Sequence, residues 1–384
     1  MADPKIWRLY HGTKKVFEFA GQSTGFHFNA LQSLADAGRP PDLLLAPCTA
    51  FGARLAREKW RVPLITVHLQ PAVLISAHQT PVLLPGMEHF RRLPLWLRRW
   101  LVRLPNPADR FAAPAVRRSC IDHGVSPPSR LWWEWANSPD GVLCLFPEWF
   151  APPQPDWPPN LLQWEFPLED LAAETALDHN LRKFLDADPE DASAKPLIFT
   201  PGSANIQAQR FFQVALEATR RLGRRAVFVT KKLQQLPPAL PETILPVEYV
   251  PFSSLLPHAS AFIHHGGIGT LSQGLAAGIP QLIMAMAHDQ PDNAHRLHQL
   301  GAGLGLSPRA FTPENVTSSL QMLLTDIRFT LASQDAARRI ATRRDPAALV
   351  RWIEQARGYD LRIEFKWRAE LTSPSSLSEL PQAQ

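Results

Sequence analysis

From Pro196 onward, short apolar runs rich in β-branched and aromatic residues alternate with segments of helical length. "PLIFTPGS" reads as a strand ending in a turn, and "AQRFFQVALEATRRLG" (Ala208 to Gly223) reads as a helix stopped by glycine. "RAVFVT", "VEYVPF", "SAFIHHGG" and "QLIMAM" read as further strands with their loops. Strands separated by such helices fold into a parallel sheet covered on both faces, since a parallel neighbour is reached only through a crossover. Ligands of these sheets bind outside the carboxyl ends of the strands. The rule gathers Ser203, Tyr249 to Phe252, His264 to Thr270 and Met286 to Asn293 on one rim.

The first half repeats the grammar more faintly. "DLLLAP" (Asp42 to Pro47), "AFGARLAREKW" (Ala50 to Trp60) and "VPLITVHL" (Val62 to Leu69) form a strand, helix and strand, and "GVLCLF" (Gly141 to Phe146) is another buried strand. Proline and tryptophan crowd Pro71 to Pro139, where the clearest element is a helix over Leu95 to Leu104. A chain of 384 residues exceeds what one core of ~250 to 300 residues accommodates, so two α/β domains are expected. The polar, acidic "LDADPEDASAKP" marks their boundary. The expected units are 1–185, 186–357 and an extension over 358–384 whose end, from Leu371, is disordered.

Composition narrows the function classes. Formal net charge is only +5, and much of the basic excess sits in "HFRRLPLWLRRWLVRLP", which points to a local basic face and not to nucleic acid. Cys48, Cys120 and Cys144 are odd in number and widely spaced, so no disulfide framework or zinc site is expected and a reducing cytoplasm fits. No apolar run reaches the ~18 residues of a membrane span, and "MADPKIWRLYHGTKK" lacks the apolar core of a signal peptide. Between Phe90 and Leu104, a helix would place Leu93, Trp96, Leu97, Trp100, Leu101 and Leu104 on one face, leaving Arg91, Arg92, Arg98, Arg99 and Arg103 largely elsewhere. Such a helix can rest on the inner face of an anionic membrane, as a peripheral contact, or guide a lipid acceptor. The alternative is an ordinary amphipathic helix packed within its domain.

The stretch from Phe262 to Leu297 carries the chemistry. After the strand, Gly266-Gly267-Ile268-Gly269 turns the chain without bulk and a helix starts at Thr270. Free amides and the dipole at a helix N-terminus attract anions, and glycines let a diphosphate approach the backbone. His265 and Thr270 add side-chain donors, whereas His264 reads as a core histidine. The spacing is neither the dinucleotide fingerprint nor a Walker A loop. Asp289 and Gln290 follow in a loop before the next helix, exposed and suited to holding adjacent sugar hydroxyls. A tight packing turn in the first case and a plain helix cap in the second are the competing readings.

Together, "EYVPFSSLLPHASAFIHHGGIGTLSQGL" and "AAGIPQLIMAMAHDQPDNA" resemble the donor-binding signature of family 1 glycosyltransferases with the GT-B fold. "PDLLLAPCTAFGARLAREKWRVPLITVHLQP" and "SPDGVLCLFPEWFAPPQPDWP" resemble, more specifically, the bacterial branch containing the rhamnolipid rhamnosyltransferase catalytic chain. The resemblance spans nearly all of Ala2 to Arg357 and implies two Rossmann-like parallel-sheet domains facing a cleft. It implies inverting, metal-independent transfer of a hexose or deoxyhexose from a UDP- or dTDP-sugar to a hydroxyl of a small or lipid acceptor, with no resident cofactor. It places the diphosphate on His265 and the backbone of Gly267, Gly269 and Thr270, the base against Tyr249 with Val250 reading it, and an early phosphate contact on Ser203. Asp289 and Gln290 would hold the donor sugar, with Asn293 close by. Gln273 stands where many relatives place a ribose-binding glutamate.

The resemblance also implies a general-base histidine in the loop after the first strand of the acceptor domain. That loop is not found. The opening "ADPKIWRLYHGTKKVFEF" resembles a segment well inside that domain, so the expectation is an incomplete N-terminal domain lacking about two βαβ units, roughly 60 residues. A partner chain supplying that part is the corresponding expectation. His11, His27 and His68 sit in no glycine-rich turn after a first strand, and no carboxylate lies near Ala46 to Thr49, so no catalytic residue is assigned. The rival readings are a nucleotide-sugar-binding chain without catalysis and, further off, a GT-B nucleotide-sugar epimerase.

Overall fold

The computed structural model describes residues 9–84, 86–168, 177–186, 195–203, 205 and 207–356. Two all-parallel sheets organise them. The first contains β1 (Leu44–Pro47), β2 (Leu64–His68), β3 (Val142–Cys144) and β4 (Leu161–Gln163) in that order. The second contains β5 (Leu197–Thr200), β6 (Ala226–Val229), β7 (Ile244–Val247), β8 (Ala261–His264), β9 (Gln281–Met284) and β10 (Gly303–Leu306), ordered β10-β9-β8-β5-β6-β7. β5, β6, β8 and β9 are apolar throughout or nearly so, as strands buried on both faces must be.

In the second sheet the chain runs outward from β5 through β6 and β7, then returns to pair β8 on the other side of β5, with Thr200 opposite His264. The strand order therefore reverses between β5 and β8. The crevice beyond the carboxyl ends of those two strands is the switch point at which such sheets bind ligands. Helices Gln209–Leu222 and Pro313–Thr325 bury Phe211, Phe212, Val316 and Leu320 against Phe199, Phe228 and Ile263 on one face. The other face is closed over Ile198, Val227 and Phe262 by Leu255, Leu256 and helix His179–Leu185.

Packing crosses the expected division at 185/186 in both directions. Leu181 and Leu185 belong to the core of the second sheet, while helix Pro346–Ala356 returns to the first sheet and packs Trp352 and Ala356 with Ile65 and Leu143. A further cluster joins Leu74, Phe146, Phe150 and Trp157 to Leu271, Leu275, Ala294 and Leu297, so the two halves share a buried seam. The boundary segment 187–194 and the extension 358–384 lie outside the described residues.

Helix Leu9–Asp36, which the sequence pattern did not announce, packs along helix Phe51–Trp60. The close approach is possible because Gly52 has no side chain: a Cβ there would overlap the Thr24 carbonyl and come within 2.6 Å of His27 Cβ and 2.8 Å of the Phe28 nitrogen. Gly52→Ala is expected to destabilise the protein by about 1 to 3 kcal/mol, the usual cost of overpacking, read from the midpoint of urea unfolding. An unchanged midpoint would show that the two helices separate freely.

Candidate donor-binding site

The loops following β5, β8 and β9 meet at the switch point. After β8 the chain reverses through Gly266, at φ 88°, and Gly267 caps the helix Ile268–Ala276. His264 sets this turn. It is fully buried, its Nε2 bonds Gln281 Oε1 at 2.8 Å, and its Nδ1 accepts the Gly266 amide at 3.0 Å. The expected core role of His264 is thus what the structure shows.

His265 points the other way, into a slot between two glycines. A Cβ on Gly202, in the loop after β5, would lie 2.5 to 2.8 Å from the imidazole, and one on Gly267 would lie 2.6 Å from its Nε2. Gly202 also has φ 84°, a conformation other residues resist. Burial lowers the His265 pKa to about 4, so the ring is neutral at pH 7, and its buried Nδ1 has no hydrogen-bond partner. The first turn of helix Ile268–Ala276 opens beside it. Gly269 is exposed with nothing within 4 Å of where a Cβ would be, and Thr270 is half-buried. The free amides that a helix's first turn presents, beside a neutral imidazole, can bind an anion by hydrogen bonds and dipole without an opposing charge.

After β9, the loop carries His288 at φ 62° and leads into helix Gln290–Gln299. The expectation that Gln290 is exposed is corrected: it is 4% exposed, because its Oε1 accepts the amides of Met286 at 2.8 Å and Ala287 at 3.3 Å, closing its own loop. Asn293 is fully buried and donates to Asp289 Oδ2 at 2.7 Å and to the Gly266 carbonyl at 2.9 Å. Asp289 does not use its side chain as a helix cap. Burial raises its pKa, and hydrogen bonds including the Asn293 amide partly counter that rise. Asn293 therefore ties the glycine turn to the aspartate.

The remaining predicted residues lie around the same rim. Ser203 is exposed in the β5 loop, and Gln273 is nearly buried in the helix Ile268–Ala276. Tyr249 is 52% exposed with Lys231 Nζ 5.3 Å from its ring centre, while the Val250 side chain is buried under the sheet. Of the strand and loop expected in "VEYVPF", the strand, Ile244–Val247, starts earlier and ends at Val247, and Tyr249 and Val250 lie in the loop. Sequence reading missed Gly202, whose signal was its place in a post-strand turn. It also missed Asn205, whose Nδ2 reaches Met286 Sδ at 3.7 Å and links two of the loops.

It further missed a polar seam from this rim to the first half of the chain. Asp292, fully buried, accepts the Val82 amide at 2.9 Å on one oxygen and Arg296 Nε at 2.7 Å on the other. Arg296 in turn donates to Gln79 Oε1 at 3.2 Å.

In the first half, His68 ends β2 and faces inward, with Nε2 on Asn137 Oδ1 at 2.7 Å, and burial lowers its pKa to about 4. With His264, lowered to about 3, and His265, three histidines are buried neutral. Each binds a proton more weakly folded than unfolded, so the unfolded chain takes up more protons between pH 6.5 and about 4. Stability should therefore be fully present above pH 6.5 and fall across that window, as followed by urea midpoints. A midpoint that rises on acidification would contradict these burials.

Comparison with known proteins gives the likenesses of the chain. Residues 222–355 match the family model of the erythromycin biosynthesis protein CIII-like C-terminal domain. Aklavinone 7-beta-L-rhodosaminyltransferase of Streptomyces galilaeus is 36% identical over 116 residues, 30% of this chain and 26% of that relative. 10-Deoxymethynolide desosaminyltransferase of Streptomyces venezuelae is 38% identical over 79 residues, 21% of this chain and 18% of that relative. The matched part thus spans about a quarter or less of these curated relatives. The solved structure of spinosyn rhamnosyltransferase SpnG superposes with a TM-score of 0.65 at 22% identity, covering 90% of this chain and 80% of that one. Its complex with thymidine diphosphate gives 0.63 at 23% identity, covering 90% and 81%. The fold is that of GT-B glycosyltransferases, with two parallel α/β sheets.

Proposed function

We propose that this chain is a glycosyltransferase that binds a UDP- or dTDP-sugar along the rim of the second sheet and transfers a hexose or deoxyhexose to a hydroxyl. The observation that carries the reading is the neutral His265, held between Gly202 and Gly267 beside the open helix N-terminus, at the reversal of strand order. That arrangement suits a diphosphate leaving group: the imidazole and the amides of Gly269 and Thr270 stabilise the charge that grows as the sugar bond breaks. Tyr249 and Val250 would flank the base, and Ser203 would reach a phosphate. The similarity to deoxysugar transferases and the fold shared with SpnG support a deoxysugar donor.

Asp289 is the proposed acceptor of sugar hydroxyls, aligned by Asn293. Gln290 has its oxygen committed to its own loop, so only its Nε2 is offered to the sugar. Asp289→Ala is expected to weaken binding of the nucleotide sugar by about 1.5 to 3 kcal/mol while leaving the nucleoside diphosphate nearly unaffected, since a hydrogen bond to a charged group is lost only with the sugar present. Calorimetry with both ligands tests this, and equal losses would remove Asp289 from the sugar subsite.

The acceptor in this reading is a small hydrophobic or lipid hydroxyl compound. No helix among the described residues is long and apolar enough to cross a membrane. Helix Leu95–Val102 divides its apolar residues: Leu93, Leu97 and Leu101 are half-buried, whereas Trp96 is 72% and Trp100 58% exposed, flanked by exposed Arg92, Arg99 and Arg103. The single apolar face expected from the sequence is therefore split, Leu93, Leu97 and Leu101 serving packing while Trp96, Trp100 and Leu104 face outward. The outward half supports peripheral contact with an anionic membrane.

A further inference from the structure

Behind the exposed tryptophans, three guanidinium groups and an imidazole that burial and the neighbouring Arg91 hold toward its neutral form share two carboxylates. Arg91 lies in the last turn of the short helix Met87–Arg92, Arg98 lies on Leu95–Val102, and His295 and Arg296 lie on Gln290–Gln299. Arg91 is within electrostatic reach of Arg98, Arg296 and Asp292, and His295 of Arg91, Arg296, Asp292 and Glu88. Asp292 has both oxygens occupied, by Val82 and Arg296. Glu88 is a partly exposed carboxylate whose Oε2 accepts the Gly86 amide.

The donors on the other side are unspent. Arg98 uses Nη1 on the His78 carbonyl at 2.9 Å, but its Nε is buried without a partner. Arg91 Nε and Nη2 and His295 Nε2 are likewise buried and unpartnered. A buried polar group left unsatisfied costs ~1 to 3 kcal/mol, more when charged, and like charges at close range add to that. Ordinary surface arginines escape this cost by keeping their nitrogens in water, which these atoms do not reach. An oxyanion removes both penalties at once, since it brings opposite charge and several acceptor lone pairs to guanidinium forks.

We propose that Arg91, Arg98 and His295 form an oxyanion site for a phosphate group, separate from the donor rim. The site does not depend on the glycosyl-transfer reading. Its phosphate is either free or the headgroup of a lipid in the membrane on which Trp96 and Trp100 would rest.

The test is calorimetric titration of the full chain with inorganic phosphate, in wild type, Arg91→Ala and Arg98→Ala. Either substitution should weaken phosphate binding at least ~10-fold, the loss of one charge-assisted hydrogen bond. Phosphate bound at the donor rim would be unaffected by these changes. In phosphate-free buffer of low ionic strength, Arg91→Ala should melt no lower than wild type, because two buried, unpartnered guanidinium nitrogens have been removed. Vesicles containing phosphatidylglycerol should displace inorganic phosphate if the ligand is a lipid headgroup, and phosphatidylcholine vesicles should leave it bound. Failure of the anionic vesicles to displace it assigns the site to free phosphate. Equal phosphate affinity in all three proteins, no phosphate binding to wild type, or a lower melting temperature for Arg91→Ala without phosphate would each overturn the proposal.

Discussion

Asp292→Ala is expected to destabilise the protein by about 3 to 5 kcal/mol, because it strands Arg296 as an unpaired buried cation. The same change orphans the Val82 amide. Asp292 and Arg296 are 0% and 2% exposed, so water cannot replace what is lost. Asp292→Asn keeps an acceptor for Val82 and should cost less. The seam joins segment 79–82 of the first half to the helix that follows the Asp289 loop, so the alanine variant should also loosen nucleotide-sugar binding more than nucleoside diphosphate binding. Urea unfolding and calorimetry on the same preparations check both statements. A stability loss below ~1 kcal/mol, the range of exposed ion pairs, would show that the seam is wet and contributes nothing.

His265→Ala should have the largest effect on chemistry. Its imidazole is expected to contribute one hydrogen bond to the diphosphate in the ground state, so nucleoside diphosphate affinity should fall by about 1.5 to 3 kcal/mol. In the transition state the bridging oxygen gains charge, and loss of a preorganised donor at such a position commonly costs ~10²- to 10³-fold in kcat. Gly202→Ala should reproduce much of this without touching the histidine, since its Cβ would overlap the ring at 2.5 Å and force it from the slot. If His265→Ala changed KM alone, the residue would serve uniform binding and not leaving-group stabilisation.

How far these features were legible in the sequence depends on whether a local signal carried them. The inner strands of the second sheet are read almost residue for residue, because doubly buried parallel strands are continuous apolar runs bounded by turn residues, as in Leu197–Thr200 and Ala261–His264, whereas β7 was placed too far along the chain and the glycine-bearing edge strand Gly303–Leu306 was not read at all. The glycine turn was legible too, from Gly266, Gly267 and Gly269 standing between strand and helix. Helix Leu9–Asp36 was not, since Gly12, Gly21 and Gly25 interrupt its pattern, and only the structure shows that Gly21 and Gly52 are there to let other elements approach. The inward use of Gln290 and the pairing of Asp292 with Val82 lay beyond sequence reading altogether. Both depend on contacts that no spacing encodes, the second of them across 210 positions. A polar residue in a loop reads the same whether it faces a ligand or closes the loop's own amides.

The central claim is that the rim formed by the loops after β5, β8 and β9 holds a nucleoside diphosphate. Isothermal titration of the wild-type chain with dTDP and with UDP tests it most directly, because every assigned contact except the sugar loop faces that part of the donor. The account predicts saturable binding of at least one of them, with one site per chain, reduced in His265→Ala and retained in Asp289→Ala. Absence of binding by both nucleotides to a folded wild-type chain, or binding that His265→Ala leaves unchanged, would contradict it.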